Sequence, residues 1–346
     1  MKKGLILLFI LAFFGCEKKP SYPWVQGNFN DALKQAEGKL VLVDFETDWC
    51  VWCKRLDEDT YPDSGVIAFA RANLVSVKVD AEKGEGIELA RHYNISGYPT
   101  LVLMDQTGKE VDRIIGYRPP EMFLAELTRI HKNEGTLPDL EEKRRLNPKD
   151  EEILTQLARK YEDAGYKDQA LDLWSSILDL KGTHQQEADF KIAYIRFYRD
   201  SSTTVMEEYL ANNPSPDYAF KAYSALVRFF RKTKAIDKET AAWMDQLRYA
   251  ESHDLESPNF LNAFAWRMAQ LEQSDYYDLA LEKVRKAVMA IPDSLGSFKA
   301  AILDTEAEVL WKLGRAREAA EKMEAASILD PENDSYRERK EKFLKG

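Results

Sequence analysis

Leu40-Val41-Leu42-Val43-Asp44-Phe45 is a run of strand length in which every residue but Asp44 is apolar. Such a run reads as a strand buried on both faces, and it needs one packed layer above it and another below. The flanking stretches can supply them. Asn28 or Asn30 caps a short helix through Ala32 and Leu33 to Glu37, and Gly38 stops it. A helical segment runs from Cys50 to about Tyr61 and ends near Pro62. Leu74-Val75-Ser76-Val77-Lys78-Val79-Asp80 alternates as a second strand, and Ile87 to Tyr93 reads as a helix. Thr100 to Met104 and Glu110 to Ile115 flank Asp105-Gln106-Thr107-Gly108, a hairpin signal, and Pro119 opens a last helix to about His131. This order is that of an α/β layered domain, expected over residues 21–134.

Beyond about Thr136 the strand signals vanish, and residues 135–346 read as an all-α domain of amphipathic helices. A weak internal repeat runs through it. Leu157, Ala158, Tyr161, Gly165, Ala170, Trp174 and Ile177 fall at the offsets of a two-helix unit, in which small residues let helices approach and Gly marks the turn. Ala280, Val284, Ala287 and Pro292 repeat its second half, as do Ala319, Met323, Ala326 and Pro331 thirty-nine residues on, which implies a small insertion between helices. Leu303, Ala307, Leu310 and Gly314 supply the first helix of that last unit, and Asn147-Pro148 stands where a preceding unit would end. These offsets resemble the 34-residue tetratricopeptide repeat. Between Thr183 and Glu256 the repeat is degenerate. There the stripes Phe190, Tyr194, Phe197 and Phe220, Tyr223, Val227, Phe230 read as packing between stacked helices.

Residues 1–16 read as a targeting segment. Lys2 and Lys3 precede the apolar run Leu5 to Phe14, whose ten residues are too few to cross a bilayer. Gly15-Cys16 and the polar Glu17-Lys18-Lys19-Pro20-Ser21 come next. A small residue before a cysteine here resembles the lipobox of bacterial lipoproteins, which implies lipidation of Cys16 and a membrane anchor. An ordinary cleaved signal peptide is the other reading. Both place the mature protein outside the cytoplasm, and the lipobox places it in the bacterial cell envelope, on its periplasmic side. The formal charge of -10, with no basic block, excludes nucleic acid as a partner. Three cysteines are too few for a disulfide-stapled scaffold.

If Cys16 carries lipid, Cys50 and Cys53 are the remaining thiols. A buried strand ends, a short loop turns, and Cys50 falls at the start of a helix with Cys53 one turn on. The helix N-terminus favours a thiolate at Cys50, which is placed to attack a substrate disulfide, and Cys53 to resolve the mixed disulfide. The strand with Trp49-Cys50-Val51-Trp52-Cys53-Lys54, and Gly97-Tyr98-Pro99-Thr100 before a later strand, resembles the thioredoxin superfamily over about a third of the chain. The resemblance implies a thioredoxin fold, Cys50 as attacking and Cys53 as resolving thiol. It also implies Asp44 as the buried carboxylate that moves the Cys53 proton, with burial raising its pKa toward neutrality. It implies, further, Pro99 as the cis-proline facing the cysteines and Trp49 as a side chain packing beside them. The lysine often found near the buried carboxylate has no counterpart, since Ser76 takes its place. Glu46 and Asp48 oppose a thiolate at Cys50, and Lys54 and Arg55 favour one. Val51-Trp52 stands where many thioredoxins have Gly-Pro, which leaves the direction of electron flow open.

Other readings remain beside these: a structural disulfide or half a metal site for the cysteines, a solvated strand-end for Asp44, a plain loop proline for Pro99. The expectation is an extracytoplasmic oxidoreductase that reduces protein disulfides without a cofactor, fed by a membrane electron donor, its helical repeats holding a peptide or protein. The alternatives are an oxidant or isomerase of the same family, or a tetratricopeptide scaffold whose thioredoxin fold is structural or chaperone-like.

Overall fold

The computed structural model describes residues 21–212 and 214–345. The targeting segment and Cys16 lie outside the described residues. Four strands, β1 (Leu40–Glu46), β2 (Leu74–Asp80), β3 (Thr100–Met104) and β4 (Glu110–Ile115), form one sheet in the order β2-β1-β3-β4. β1 pairs in parallel with β2 and antiparallel with β3, and β3 pairs antiparallel with β4. The central place of β1 explains its apolar run. Leu42 faces a core shared with Leu101, Leu103 and the helices α3 (Ser64–Asn73) and α5 (Pro120–His131). Val41, Val43 and Phe45 face the opposite core, closed by α1 (Phe29–Lys34) and α4 (Gly86–His92).

Local chemistry sets the ends of these helices. Asn28 caps α1 in a reciprocal capping box with Asp31, and Asp63 caps α3 through the N–H groups of Gly65 and Val66. The sequence reading lacked α3, because Pro62 and Ser64-Gly65 look like punctuation. What makes it a helix is the burial of Val66, Ile67 and Ala70 against the sheet. The segment expected as one helix from Cys50 to Tyr61 is α2 (Val51–Arg55) followed by a π turn, Leu56–Thr60, in which the Tyr61 N–H donates to Leu56 O at 2.9 Å.

The remaining described elements are helices: α6 (Leu137–Leu146), α7 (Glu151–Asp163), α8 (Lys167–Leu180), α9 (Gln185–Asp200), α10 (Thr204–Ala211), α11 (Pro216–Lys232), α12 (Ile236–Ser252), α13 (Pro258–Gln270), α14 (Tyr277–Ala290), α15 (Gly296–Lys312), α16 (Ala316–Leu329) and α17 (Ser335–Lys345). The chain forms two compact units that divide after Ala188, inside α9. The first therefore holds α6 to α8 together with the sheet. Lys160 of α7 reaches Asp112 of β4 at 2.6 Å, and Asn94 donates to Ala164 O at 3.2 Å. Gly165 turns at φ +73°, and a Cβ there would lie 2.5 Å from the Asn94 Cβ, so the residue is glycine for both turn and approach.

Successive helices pack as hairpins, α7 on α8 in the first unit, and α11 on α12, α13 on α14 and α15 on α16 in the second. Ala158 and Ala170, and likewise Ala307 and Ala319, are fully buried, as the repeat offsets require. The thirty-nine-residue spacing arises mainly from α15, which has 17 residues where α7 and α13 have 13. Most of the insertion thus lengthens a helix rather than the link between helices. The aromatic stripes of the degenerate stretch pack between helices, Phe197 on Phe229 at 5.1 Å and Phe220 on Phe260 at 5.0 Å between centroids. Among the described residues no helix is long and apolar enough to cross a membrane.

Candidate active site

β1 ends at Glu46, and after a three-residue loop the chain enters α2 with Cys50 as its N-cap. The Cys50 backbone is extended, its N–H donates to Thr47 O at 3.1 Å, and its Sγ accepts the Cys53 N–H at 3.0 Å. One turn of helix leaves the two Cα atoms 5.3 Å apart, and the sulfurs are joined in a disulfide. Both cysteines are buried, while their neighbours Trp49, Val51 and Trp52 are 64%, 71% and 58% exposed. The buried disulfide is thus flanked in the chain by an exposed apolar surface.

Two aromatic pairs hold that surface. Trp49 meets Tyr98 edge-on at 5.8 Å, and its Nε1–H donates to Glu82 at 3.0 Å. Trp52 lies 5.8 Å from Tyr117. The first pair sets the Tyr98-Pro99 turn beside the cysteine loop. The Tyr98–Pro99 peptide is cis, and Pro99 O accepts the Gly116 N–H at 2.8 Å, which ties the turn to the end of β4.

Asp44 is 1% exposed. Its Oδ2 accepts the Tyr61 hydroxyl at 2.7 Å and lies 3.8 Å from the Lys78 ammonium, and its Oδ1 has no hydrogen-bond partner among the described residues. Burial drives its pKa up to about 7, against the pull of Lys78 and the Tyr61 hydrogen bond, with Glu46 and Asp57 adding to the rise. The carboxyl therefore titrates near neutrality, where a proton carrier is most effective.

The expectation that the buried carboxylate lacks a lysine is corrected here. The β1–β2 register places Lys78 opposite Asp44, and Ser76 instead faces Leu42 and hydrogen-bonds the Tyr22 hydroxyl at 3.1 Å. Lys78 also pairs with Glu46 at 2.5 Å and Asp57 at 2.7 Å. Burial works against its ammonium, but Asp44, Asp57 and Glu46 outweigh that and hold its pKa above the ordinary value. The negative charges expected to oppose a Cys50 thiolate are thus engaged, Glu46 by Lys78 and Asp48 by Lys83 at 2.6 Å. Arg55, expected to favour the thiolate, pairs with Asp59 one turn further along.

A family profile described as a thioredoxin-like domain matches residues 29–131. Residues 29–131 are a thioredoxin-like domain. Over 101 residues the chain is 38% identical to the thiol:disulfide interchange protein DsbD of Tatumella citrea, a match spanning 28% of this chain and 18% of that protein. The chain thus spans less than a fifth of that curated relative's length. A thioredoxin from Thermus thermophilus is 35% identical, over 32% of this chain and 88% of its own, with a TM-score of 0.29. YrrB, described as a TPR protein with an unusual peptide-binding site, aligns with 58% of this chain and 97% of its own at 12% identity, TM-score 0.41.

Within the thioredoxin-like domain the structure gathers Asp44, Trp49, Cys50, Cys53 and Pro99 around the end of β1. Sequence reasoning missed Tyr61, Lys78 and Glu82. A signal for Lys78 was present, since a lysine flanked by Val77 and Val79 in a buried strand needs a partner.

Proposed function

We propose that the protein is an extracytoplasmic thiol-disulfide oxidoreductase that reduces protein disulfides, anchored to a membrane of the bacterial envelope through a lipidated Cys16. The observation that carries this reading is the Cys50–Cys53 disulfide at the head of α2, among exposed aromatics and with a buried carboxyl at the end of the adjoining strand.

The chemistry follows from the residues. In the dithiol form the Cys53 N–H and the start of α2 stabilise a Cys50 thiolate. That thiolate attacks one sulfur of a substrate disulfide, forms a mixed disulfide and releases the other sulfur as a thiolate, which takes a proton from water. Asp44 then accepts the Cys53 proton. The Cys53 thiolate attacks Cys50 Sγ, the second substrate thiolate leaves and is protonated, and the enzyme ends in the disulfide form with two electrons passed to the substrate. A dithiol donor at the membrane must then restore it, since an extracytoplasmic compartment is oxidising. The second compact unit serves as the surface for a partner or substrate polypeptide. A cleft of about 450 Å³ there, lined by Glu207, Tyr223, Phe230, Lys238 and Asp245, joins aromatic and charged groups of the kind that hold peptide.

The deciding experiment is the reduction potential of the Cys50–Cys53 pair, measured against glutathione or thioredoxin in a protein starting at residue 21. A value near about -270 mV supports the reductase, and one near about -120 mV reverses the direction of electron flow. Absence of exchange removes the enzyme and leaves a scaffold.

A further inference from the structure

Tyr61 is a buried titratable group that the chemistry above does not use. Its ring is fixed on every side: it lies 4.8 Å from Tyr22, 4.9 Å from Trp24 and 6.0 Å from Phe123 between centroids. Its hydroxyl donates to Asp44 Oδ2 at 2.7 Å. The π turn Leu56–Thr60 immediately precedes it, and such turns add a residue to a helix and re-aim the side chains beyond it, often at functional sites. Here the turn separates the cysteine-bearing first turn of the helix from the tyrosine that reaches back to the strand.

The two oxygens of Asp44 are used unequally. Oδ2 takes the Tyr61 hydroxyl and faces the Lys78 ammonium, whereas Oδ1 is buried with no partner among the described residues. A buried polar atom without a partner keeps its full desolvation cost, and its retention asks for a role. The geometry points to Tyr61 as a positioning residue that occupies Asp44 Oδ2 and leaves Oδ1 as the atom exchanging a proton with Cys53. This rests on the proposed role of Asp44 in the resolving step. The step itself balances: the Cys53 S–H proton passes to Oδ1, the Cys53 thiolate attacks Cys50 Sγ of the mixed disulfide, and the substrate thiolate leaves and takes a proton from water. Tyr61 neither gains nor loses a proton. The groups facing Asp44 are Tyr61 from the π-turn end, Lys78 from β2, Glu46 from its own strand and Asp57 from the π turn, with the Tyr22 phenol also within its field.

The test measures the resolving step, as decay of a Cys50 mixed disulfide with a model peptide, between pH 5 and 9 in four proteins: wild type, Tyr61→Phe, Asp44→Asn and the double variant. Phenylalanine keeps the ring and removes only the hydrogen bond that favours the carboxylate. Tyr61→Phe should move the midpoint of the pH profile up by about one unit and slow resolution about tenfold below it, with the Cys50 attack rate unaltered. In the Asp44→Asn background the same change should do nothing. An unmoved midpoint, or an equal effect in both backgrounds, overturns the positioning role while leaving that of Asp44 intact. A flat response to Asp44→Asn alone overturns both. Should Tyr61→Phe fail to fold, carbon NMR of the wild type decides: the Tyr61 Cζ and Asp44 Cγ signals should titrate with one midpoint, and independence of the two overturns the proposal.

Discussion

The Lys78 ammonium stands 3.8 Å from the Asp44 carboxylate across the parallel β1–β2 pair, yet it is held more closely by Glu46 at 2.5 Å and Asp57 at 2.7 Å. One cation thus serves three carboxylates. Lys78→Met removes the charge that favours ionised Asp44 and leaves Glu46 and Asp57 to repel it. The Asp44 pKa should rise above about 7, and the resolving step at pH 7 should slow on the order of tenfold and recover at higher pH. A pH–rate profile that keeps its midpoint would count against the link.

The buried carboxyl also costs stability. Its pKa is higher folded than unfolded, so the folded protein binds the proton more tightly. Stability from this group is full below about pH 4, falls as pH rises through about 7, and is level beyond. The gap from the ordinary 3.8 to about 7 corresponds to roughly 4 kcal/mol. Asp44→Asn in the disulfide form should therefore raise the denaturation midpoint at pH 8, with a gain that shrinks toward pH 4. Chemical denaturation at both pH values reads this, and a gain independent of pH would contradict the assigned burial cost.

The turn after β2 carries Glu82 to Trp49, and Gly86 closes it. A Cβ on Gly86 would lie 1.9 Å from the Asp80 carbonyl oxygen, which is backbone and cannot swing aside. Gly86→Ala should destabilise the first unit by about 1–3 kcal/mol. The Trp49 fluorescence environment should change with it.

Asp112 of β4 is buried between Arg129 and Lys160, at 2.8 Å and 2.6 Å. A chain ending at residue 134 lacks Lys160, so Asp112 loses one of its two cations and β4 loses its packing against α6. That fragment should melt lower than one ending at residue 188, by about 1–3 kcal/mol in denaturation. Equal midpoints would mean that the α/β layer stands alone.

Much of this architecture is written locally. An apolar run in β1 asks for two covering layers, Asn28 caps a helix with its own side chain, and Gly165 and Gly314 take the positive φ that ends a helix. Cys50 and Cys53 are three residues apart, so the helix they share brings their sulfurs together. These features depend on neighbours in the chain, and their residue types reveal them.

What the sequence left open depends on neighbours in space. Whether Asp44 faces Ser76 or Lys78 is a matter of register between strands 34 residues apart in the pairing. A shift of two residues keeps every side chain on its face and exchanges one partner for the other, so alternation alone does not tell them apart. Tyr61 reaches Asp44 because a π turn adds a residue to the helix, and α3 forms because Val66, Ile67 and Ala70 find the sheet. Periodicity fixes which face of an element is buried. Only the packed structure fixes which residue it is buried against, and that choice sets the charge, hydrogen bonding and proton affinity of the site.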